Sequence, residues 1–131
     1  MAEASESIDP AQIAARYTAV WGEPDAHLRR AAITELWASG GVEFVEGAQF
    51  RGHEELDARI THAHAEFVGS GKYTVAHADD ATRHGDIVMF TVQLISTADG
   101  EIAWAARVFL LLDGNGRIRE DCQLTVQPMP A

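Results

Sequence analysis

The sequence has little positive charge, a single cysteine and no long apolar segment, and each shortage excludes a class of protein. Ten Lys and Arg residues stand against 20 Asp and Glu, for a formal net charge of −10. The basic residues are scattered, so we expect neither nucleic acid nor an anionic membrane surface as a partner. Cys122 alone excludes an internal disulfide and fits a reducing compartment. No apolar run is longer than residues 108–112, far short of the ~20 residues of a membrane-spanning helix. The acidic start also lacks the features of a signal peptide, and the sequence therefore predicts a cytoplasmic protein.

The apolar pattern predicts one domain in which helices precede most of the strands. Residues 1–8 carry nothing to bury and are predicted to be disordered, residues 9–127 form the domain, and residues 128–131 are a tail. Apolar residues recur at helical spacing after Asp9-Pro10, after Asp25 and after Gly52, which predicts three helices, the last stopped at residues 69–71. A short strand is predicted at residues 42–45. From residue 72 the period is two, which predicts strands at 72–79, 87–95, 101–112 and 117–126, with turns at 83–86, 98–100 and 113–116. The layout is α+β.

The strand at residues 101–112 indicates that both faces of the sheet are covered. Apart from Arg107 its side chains are apolar on both faces, as in strands buried on two sides. The helices cover one face. We expect a second copy of the chain to cover the other, which predicts a homodimer through the outer sheet face.

The last strand carries the main candidate for chemistry. Simple alternation places Arg119, Asp121, Gln123 and Thr125 on one face, and Ile118, Cys122, Leu124 and Val126 on the other. The polar face either is solvated or lines a pocket. In an apolar pocket, desolvation would raise the pKa of Asp121, which could then act as an acid or base near neutrality.

Other candidates are weaker because a structural role is the commoner explanation of each of them. Glu43 either points inward as a second acid or lies on an edge strand in water. His64 continues the buried stripe of the third helix, and His77 alternates with Tyr73 and Val75. An apolar cavity would be lined by Tyr17, Trp21, Phe90, Trp104 and Val108. No GxGxxG, Walker or HExxH motif occurs, and no metal or organic cofactor is predicted.

Four local patterns, in their order and spacing, resemble the NTF2-like superfamily, especially its SnoaL-like and ketosteroid-isomerase-like bacterial members. They are Tyr17-x3-Trp21, Glu35-Leu36-Trp37, Phe50-Arg51-Gly52-His53 and Asn115-Gly116-Arg117-Ile118. The resemblance runs from about residue 9 to residue 126. It implies a cone in which three N-terminal helices pack on a strongly curved, mixed or antiparallel sheet around an internal pocket.

The resemblance also implies roles for single residues. Tyr17 falls where isomerase-like members carry an oxyanion-donating tyrosine, and their second donor, a neutral aspartic acid, matches Val108. Their base matches either Val45 or Glu46. The last-strand aspartate of limonene-epoxide-hydrolase-like members falls on Gln123, and Asp121 is placed to serve as the single carboxylate of polyketide-cyclase-like members.

These observations predict a cofactor-independent acid/base enzyme of the isomerase, cyclase or hydrolase type. Its substrate would be a small apolar molecule that contains oxygen. Asp121 would be the acid/base, Gln123 and Tyr17 would bind or polarise an oxygen, and His64 or Glu43 would assist. The alternative is a non-catalytic protein that binds or carries a small molecule. A third hypothesis is a dimeric interaction module whose cavity is filled by its own side chains.

Overall fold

The computed structural model describes residues 8–130, in which three α-helices pack on one mixed sheet. Helix α1 (Pro10–Gly22) begins where Asp9 accepts a hydrogen bond from the Ala11 amide at 3.0 Å, and proline occupies its first turn. Helix α2 (Ala26–Leu36) is capped in the same way by Asp25, which accepts from the Leu28 amide at 3.0 Å. Both caps satisfy amides that have no partner within the helix. No helix within residues 8–130 is long and apolar enough to span a membrane.

Within the described residues the sheet has seven strands. They are β1 (Trp37–Val45), β2 (Ala48–Arg51), β3 (Tyr73–His77), β4 (Thr82–His84), β5 (Ile87–Ser96), β6 (Ile102–Leu112) and β7 (Ile118–Gln127). Their order is β2-β1-β7-β6-β5-β3, and β4 also pairs with β5. All pairs are antiparallel except β1 with β7, which run parallel. The sheet is therefore mixed.

The third helix follows the β1–β2 hairpin, and it ends in an irregular turn that the sequence did not predict. Helix α3 (Gly52–Ala63) passes directly into a π-helix, His64–Val68, before the chain reaches β3. The stripe formed by Leu56, Ile60 and Ala63 is buried. A π-helix widens the turn by one residue and occurs frequently at functional sites.

Several predicted bounds are wrong by a few residues. Strand β1 begins at Trp37 rather than residue 42, because α2 ends at Leu36 and the chain is extended from there through Gly40-Gly41. Thr82–His84, partly predicted as a turn, forms the short strand β4, which leaves only Gly85 and Asp86 as the turn into β5. The predicted disordered segment lies outside the described residues except for Ile8, whose side chain packs against the core.

A β-bulge at the start of β7 corrects the predicted faces of that strand. Leu112 pairs with Ile118 and Leu111 pairs with Glu120, so Arg119 is the extra residue. An extra residue shifts the alternation by one position. Ile118 is consequently buried on the same side of the sheet as Asp121 instead of the opposite side, and it belongs to the hydrophobic core.

Candidate active site

A partly enclosed cavity of about 200 Å³ lies between the sheet and helices α1 and α3. Its wall includes four of the predicted residues, namely Trp21, His64, Trp104 and Gln123. Arg59, Val45 and Glu46 also line it, and most of the remaining wall is apolar, with Phe67, Val75, Val92 and Leu94 among its members. The other predicted residues, Tyr17, Glu43, His77, Phe90, Val108 and Asp121, are not part of this wall.

Two carboxyl groups are buried side by side behind the cavity wall. The parallel pairing of β1 with β7 places Glu43 opposite Asp121, and each residue is 0% exposed. Burial raises the pKa of Asp121 well above its usual range, and the charge of Glu43 raises it further. Burial also raises the pKa of Glu43, although the positive charge of Arg59 and a hydrogen bond from it act in the opposite direction. Two adjacent buried carboxyls cannot both ionise at low cost, so the proton resides mainly on Asp121.

The buried carboxyl of Asp121 has few polar neighbours. Neither of its oxygens, nor Oε2 of Glu43, has a hydrogen-bond partner at good geometry among the described residues. The Tyr17 hydroxyl is close enough to lower the pKa of Asp121 in part, without reaching hydrogen-bond geometry. Unpaired buried polar atoms are destabilising, and a protonated acid is the least costly form of Asp121 in this place.

Tyr17 connects the buried acids to the cavity wall. The Gln123 amide donates a hydrogen bond from Nε2 to the Tyr17 hydroxyl at 2.8 Å, and Gln123 itself lines the cavity. Burial, followed by the negative charges of Asp121 and Glu43, raises the pKa of Tyr17 well above its usual value. Tyr17 is therefore a neutral phenol. Its ring is fixed by Trp21, Trp37 and Phe90, whose centroids lie 6.0, 5.7 and 5.3 Å away.

Arg59 supplies positive charge at the edge of the cavity. Its Nε donates to Oε1 of Glu43 at 3.1 Å, and its guanidinium carbon lies 5.0 Å from the ring centroid of Trp21 and 5.5 Å from that of Phe50. The ion pair and the two aromatic faces hold this guanidinium in one place.

His64 is the one predicted catalytic residue that lines the cavity. It is 9% exposed and is the first residue of the π-helix. Its Nδ1 lies 3.0 Å from the backbone carbonyl oxygen of Trp21. A carbonyl oxygen only accepts hydrogen bonds, so Nδ1 is the donor, and in the corresponding neutral tautomer the lone pair is on Nε2. Within residues 8–130 no group bonds this Nε2.

Comparison with known proteins identifies the fold. No family model and no curated protein matches the chain. Among solved structures, a SnoaL-like family protein from Agrobacterium tumefaciens, provisionally named an isomerase, has a TM-score of 0.79 and 27% identity, over 88% of this chain and 95% of that one. A protein from Sinorhizobium meliloti, provisionally named a polyketide cyclase, has a TM-score of 0.65 and 18% identity, over 91% and 97%. An NTF2-like protein of unknown function from Exiguobacterium has a TM-score of 0.63 and 14% identity, over 86% and 97%. The chain has the NTF2-like fold. The predicted fold resemblance is confirmed.

Within this NTF2-like fold, the predicted site residues separate into two layers. Gln123, His64, Trp21 and Trp104 line the cavity, whereas Tyr17, Asp121, Glu43, Phe90 and Val108 lie in the buried layer behind it. His77 lies in neither the cavity wall nor the hydrophobic core, and its buried Nδ1 has no described partner. Glu43 is not on an edge strand, because β1 lies between β2 and β7.

Sequence reasoning missed Arg59, although a signal for it existed. Arg59 lies three residues after Leu56 and four before Ala63, which places it beside the buried stripe of α3 rather than on the outer face. A basic residue at the flank of a buried stripe indicates a partner in the interior. That partner is Glu43, 16 residues earlier on β1. Both alternatives for the family's base position, Val45 and Glu46, line the cavity, and Glu46 is exposed.

Proposed function

We propose that this chain is a cofactor-independent enzyme that transfers protons on a small, largely apolar molecule bearing an oxygen function. The reaction is an isomerisation, a cyclisation or the addition of water. Two solved structures of similar fold carry isomerase and polyketide cyclase names, and the cavity here has a mostly apolar wall with a few polar groups. The fold alone does not imply a reaction, so the proposal depends on the site.

The geometry of His64 carries the proposal. Its ring is buried, its Nδ1 is held by the Trp21 carbonyl, and its Nε2 is free of described partners in the cavity wall. A base needs a fixed orientation and an available lone pair next to the substrate. His64 therefore takes the role of proton acceptor and returns the proton at the end of the reaction.

In this proposal, Asp121, Tyr17 and Gln123 act behind and beside the substrate rather than all in contact with it. Gln123 is the group of this network that reaches the cavity, and its amide is oriented by the Tyr17 hydroxyl. With Nε2 engaged by Tyr17, the amide oxygen of Gln123 remains available to accept a hydrogen bond from a ligand. Asp121, kept protonated by burial, holds a proton near Tyr17 without adding negative charge.

A non-catalytic binding or carrier protein is the competing function. The fact that favours it is that Asp121 and Tyr17 are both 0% exposed and absent from the cavity wall, so a ligand would touch few polar groups. A carrier needs the same apolar cavity and no base.

Proton exchange distinguishes the two functions. A panel of enolisable ketones, lactones and epoxides would be incubated with the protein in D2O, and loss of the α-proton signals and formation of products would be followed by NMR. We expect exchange with wild type and a decrease in kcat of about 10²- to 10⁴-fold for His64→Gln. The matched control is His27→Gln, since His27 is exposed on α2 and lies outside the cavity wall. Saturable binding of panel members without exchange or turnover would support the carrier and contradict the enzyme.

A further inference from the structure

Arg59 has binding capacity that its protein contacts leave unused. A guanidinium presents five N–H donors in a fixed fork. In the described part of the chain only Nε of Arg59 donates, to Glu43 at 3.1 Å, while Nη1 and Nη2 have no hydrogen-bond partner. The side chain is 20% exposed, so these terminal nitrogens are not sealed in the core.

Arg59 also lies where a ligand would enter. Together with Val45 and Glu46 it lines both the cavity and an open surface groove that continues past Phe50 and His62. The guanidinium therefore lies at the boundary between the groove and the cavity.

The Arg59 side chain is held in advance of any ligand. The rings of Trp21 and Phe50 lie 5.0 and 5.5 Å from its guanidinium carbon, and Glu43 anchors Nε. A fixed guanidinium loses little side-chain entropy on binding and strengthens its interaction with charge that develops on a ligand.

We infer that Nη1 and Nη2 of Arg59 bind an anionic oxygen of the ligand, so that the ligand class is a small, largely apolar molecule with an acidic phenol, enol or carboxyl group. The ligand class deepens and rests on the proposed function, because the anionic group would enter the same cavity that His64 lines. Anion binding by Arg59 itself requires no catalysis and can be measured separately.

The other charged group of the cavity wall does not cancel Arg59. Glu46 is exposed in the β1–β2 turn, where water and salt screen its charge. Glu43 is bound on the Nε edge of the guanidinium and leaves the terminal edge free. Asp121 pairs with Glu43 across β1 and β7, and burial raises its pKa, which favours the uncharged form.

A phenol whose neutral and ionised forms absorb differently tests this site without any catalysis. The probe is 4-nitrophenol, titrated into the protein over a range of pH while both absorbance bands are recorded. We expect wild type to bind the phenolate in preference, with the pKa of the bound probe lowered by about one unit or more, which corresponds to at least a tenfold preference for the anion.

The variants isolate the guanidinium. Arg59→Gln is combined with Glu43→Gln so that no buried carboxylate loses its partner, and this double variant should lose the tenfold preference. Glu43→Gln alone should keep it, because this variant retains Arg59. Glu54→Gln is the matched charge control, since Glu54 is exposed on the same helix and lines neither the cavity nor the groove. Binding of the neutral phenol by wild type, absence of binding, or an anion preference that survives in the double variant would each overturn the inference.

The outcome is separable from that of the proposed function. His64→Gln should bind the phenolate as wild type does, although it should not catalyse α-proton exchange. Phenolate preference without exchange on any carbonyl compound would leave Arg59 as an anion-binding residue and refute the enzyme. α-Proton exchange that depends on His64, without a preference for the phenolate, would support the enzyme and refute anion binding by Arg59.

Discussion

Replacing Asp121 with Asn should flatten the dependence of stability on pH. The pKa of the folded-state carboxyl is raised by burial and by Glu43, relative to about 3.9 in an unfolded chain. Below the unfolded value both states hold the proton, and Asp121 contributes no pH dependence. As pH rises further, the unfolded chain releases the proton and the folded chain keeps it, so the free energy of unfolding falls until the folded pKa is passed.

The size of the effect follows from this linkage. One proton retained only by the folded state lowers the free energy of unfolding by about 1.4 kcal/mol per pH unit. Two pH units therefore amount to about 2.7 kcal/mol, a large part of the 5–15 kcal/mol that stabilises an average domain. Glu43, whose pKa is also raised, acts with the same sign, and Arg59 reduces its share.

Urea unfolding of wild type and Asp121→Asn at pH 5, 6, 7 and 8 measures the difference. The variant should show a flatter dependence of the free energy of unfolding on pH than wild type, and it should gain stability over wild type as pH increases. The slope is the proper observable, because an Asn amide at this place also lacks partners and shifts all values by a constant. Glu120→Gln is the matched control, since Glu120 is the exposed neighbour on the same strand. Equal slopes for wild type and Asp121→Asn would refute the buried, protonated acid.

Three further predictions concern the surroundings of this acid. Tyr17→Phe should lower the free energy of unfolding by about 1–3 kcal/mol because it leaves the Gln123 amide without its partner, and adding Gln123→Leu should recover part of the loss. Equal urea midpoints for wild type and Tyr17→Phe would contradict this hydrogen bond. Arg59→Gln should lower the free energy of unfolding by about 3 kcal/mol at pH 8 in the same assay, and by less at pH 5, where Glu43 can take up a proton. A loss of stability that does not depend on pH would mean that Glu43 is not the group left unpaired. The homodimer remains a proposal. Leu124 is 52% exposed on the outer sheet face, and a charge at this position would disrupt an apolar dimer interface, so Leu124→Glu should convert a dimer to a monomer in light scattering. A monomeric wild type would exclude this interface.

Local sequence signals were sufficient for most elements of the fold. The caps at Asp9 and Asp25 begin helices where predicted, since a short polar side chain before an apolar stripe satisfies free amides. The period of two located β5, β6 and β7 within one or two residues of their observed bounds. These signals act over a few residues, and a single sequence contains them in full.

The errors come from features that depend on distant parts of the chain. The bulge at Arg119 is defined by the register between β6 and β7, which no local pattern encodes, and it moved Ile118 to the core side. The π-helix at His64 is likewise invisible to a 3.6-residue period. The sequence alone does not decide the burial of Glu43, because that burial depends on the pairing of β1 with β7, the last strand, and on the position of Arg59 on α3.

The features of the site likewise divide into those that a local sequence pattern predicts and those that depend on distant parts of the chain. Alternation correctly placed Asp121 and Gln123 on one buried face of β7. It did not show that Asp121 lies behind the cavity while Gln123 reaches it, because depth depends on how α1 covers the strand. Tyr17 from α1 takes the position between Gln123 and the acids, which no spacing within β7 predicts.

The buried acids bear on the choice among the three functions. A chain selected only to fill its interior would gain stability by replacing Glu43 and Asp121 with apolar residues, since three of their oxygens have no partner among the described residues. Local violations of this kind are expected at functional sites, where stability is exchanged for chemistry. A cavity filled by its own side chains would need neither acid, nor a guanidinium with free terminal nitrogens, nor a histidine whose Nδ1 is held by the Trp21 carbonyl. The combination therefore favours a ligand in the cavity over an interaction module, and His64 and Arg59 decide whether that ligand reacts or only binds.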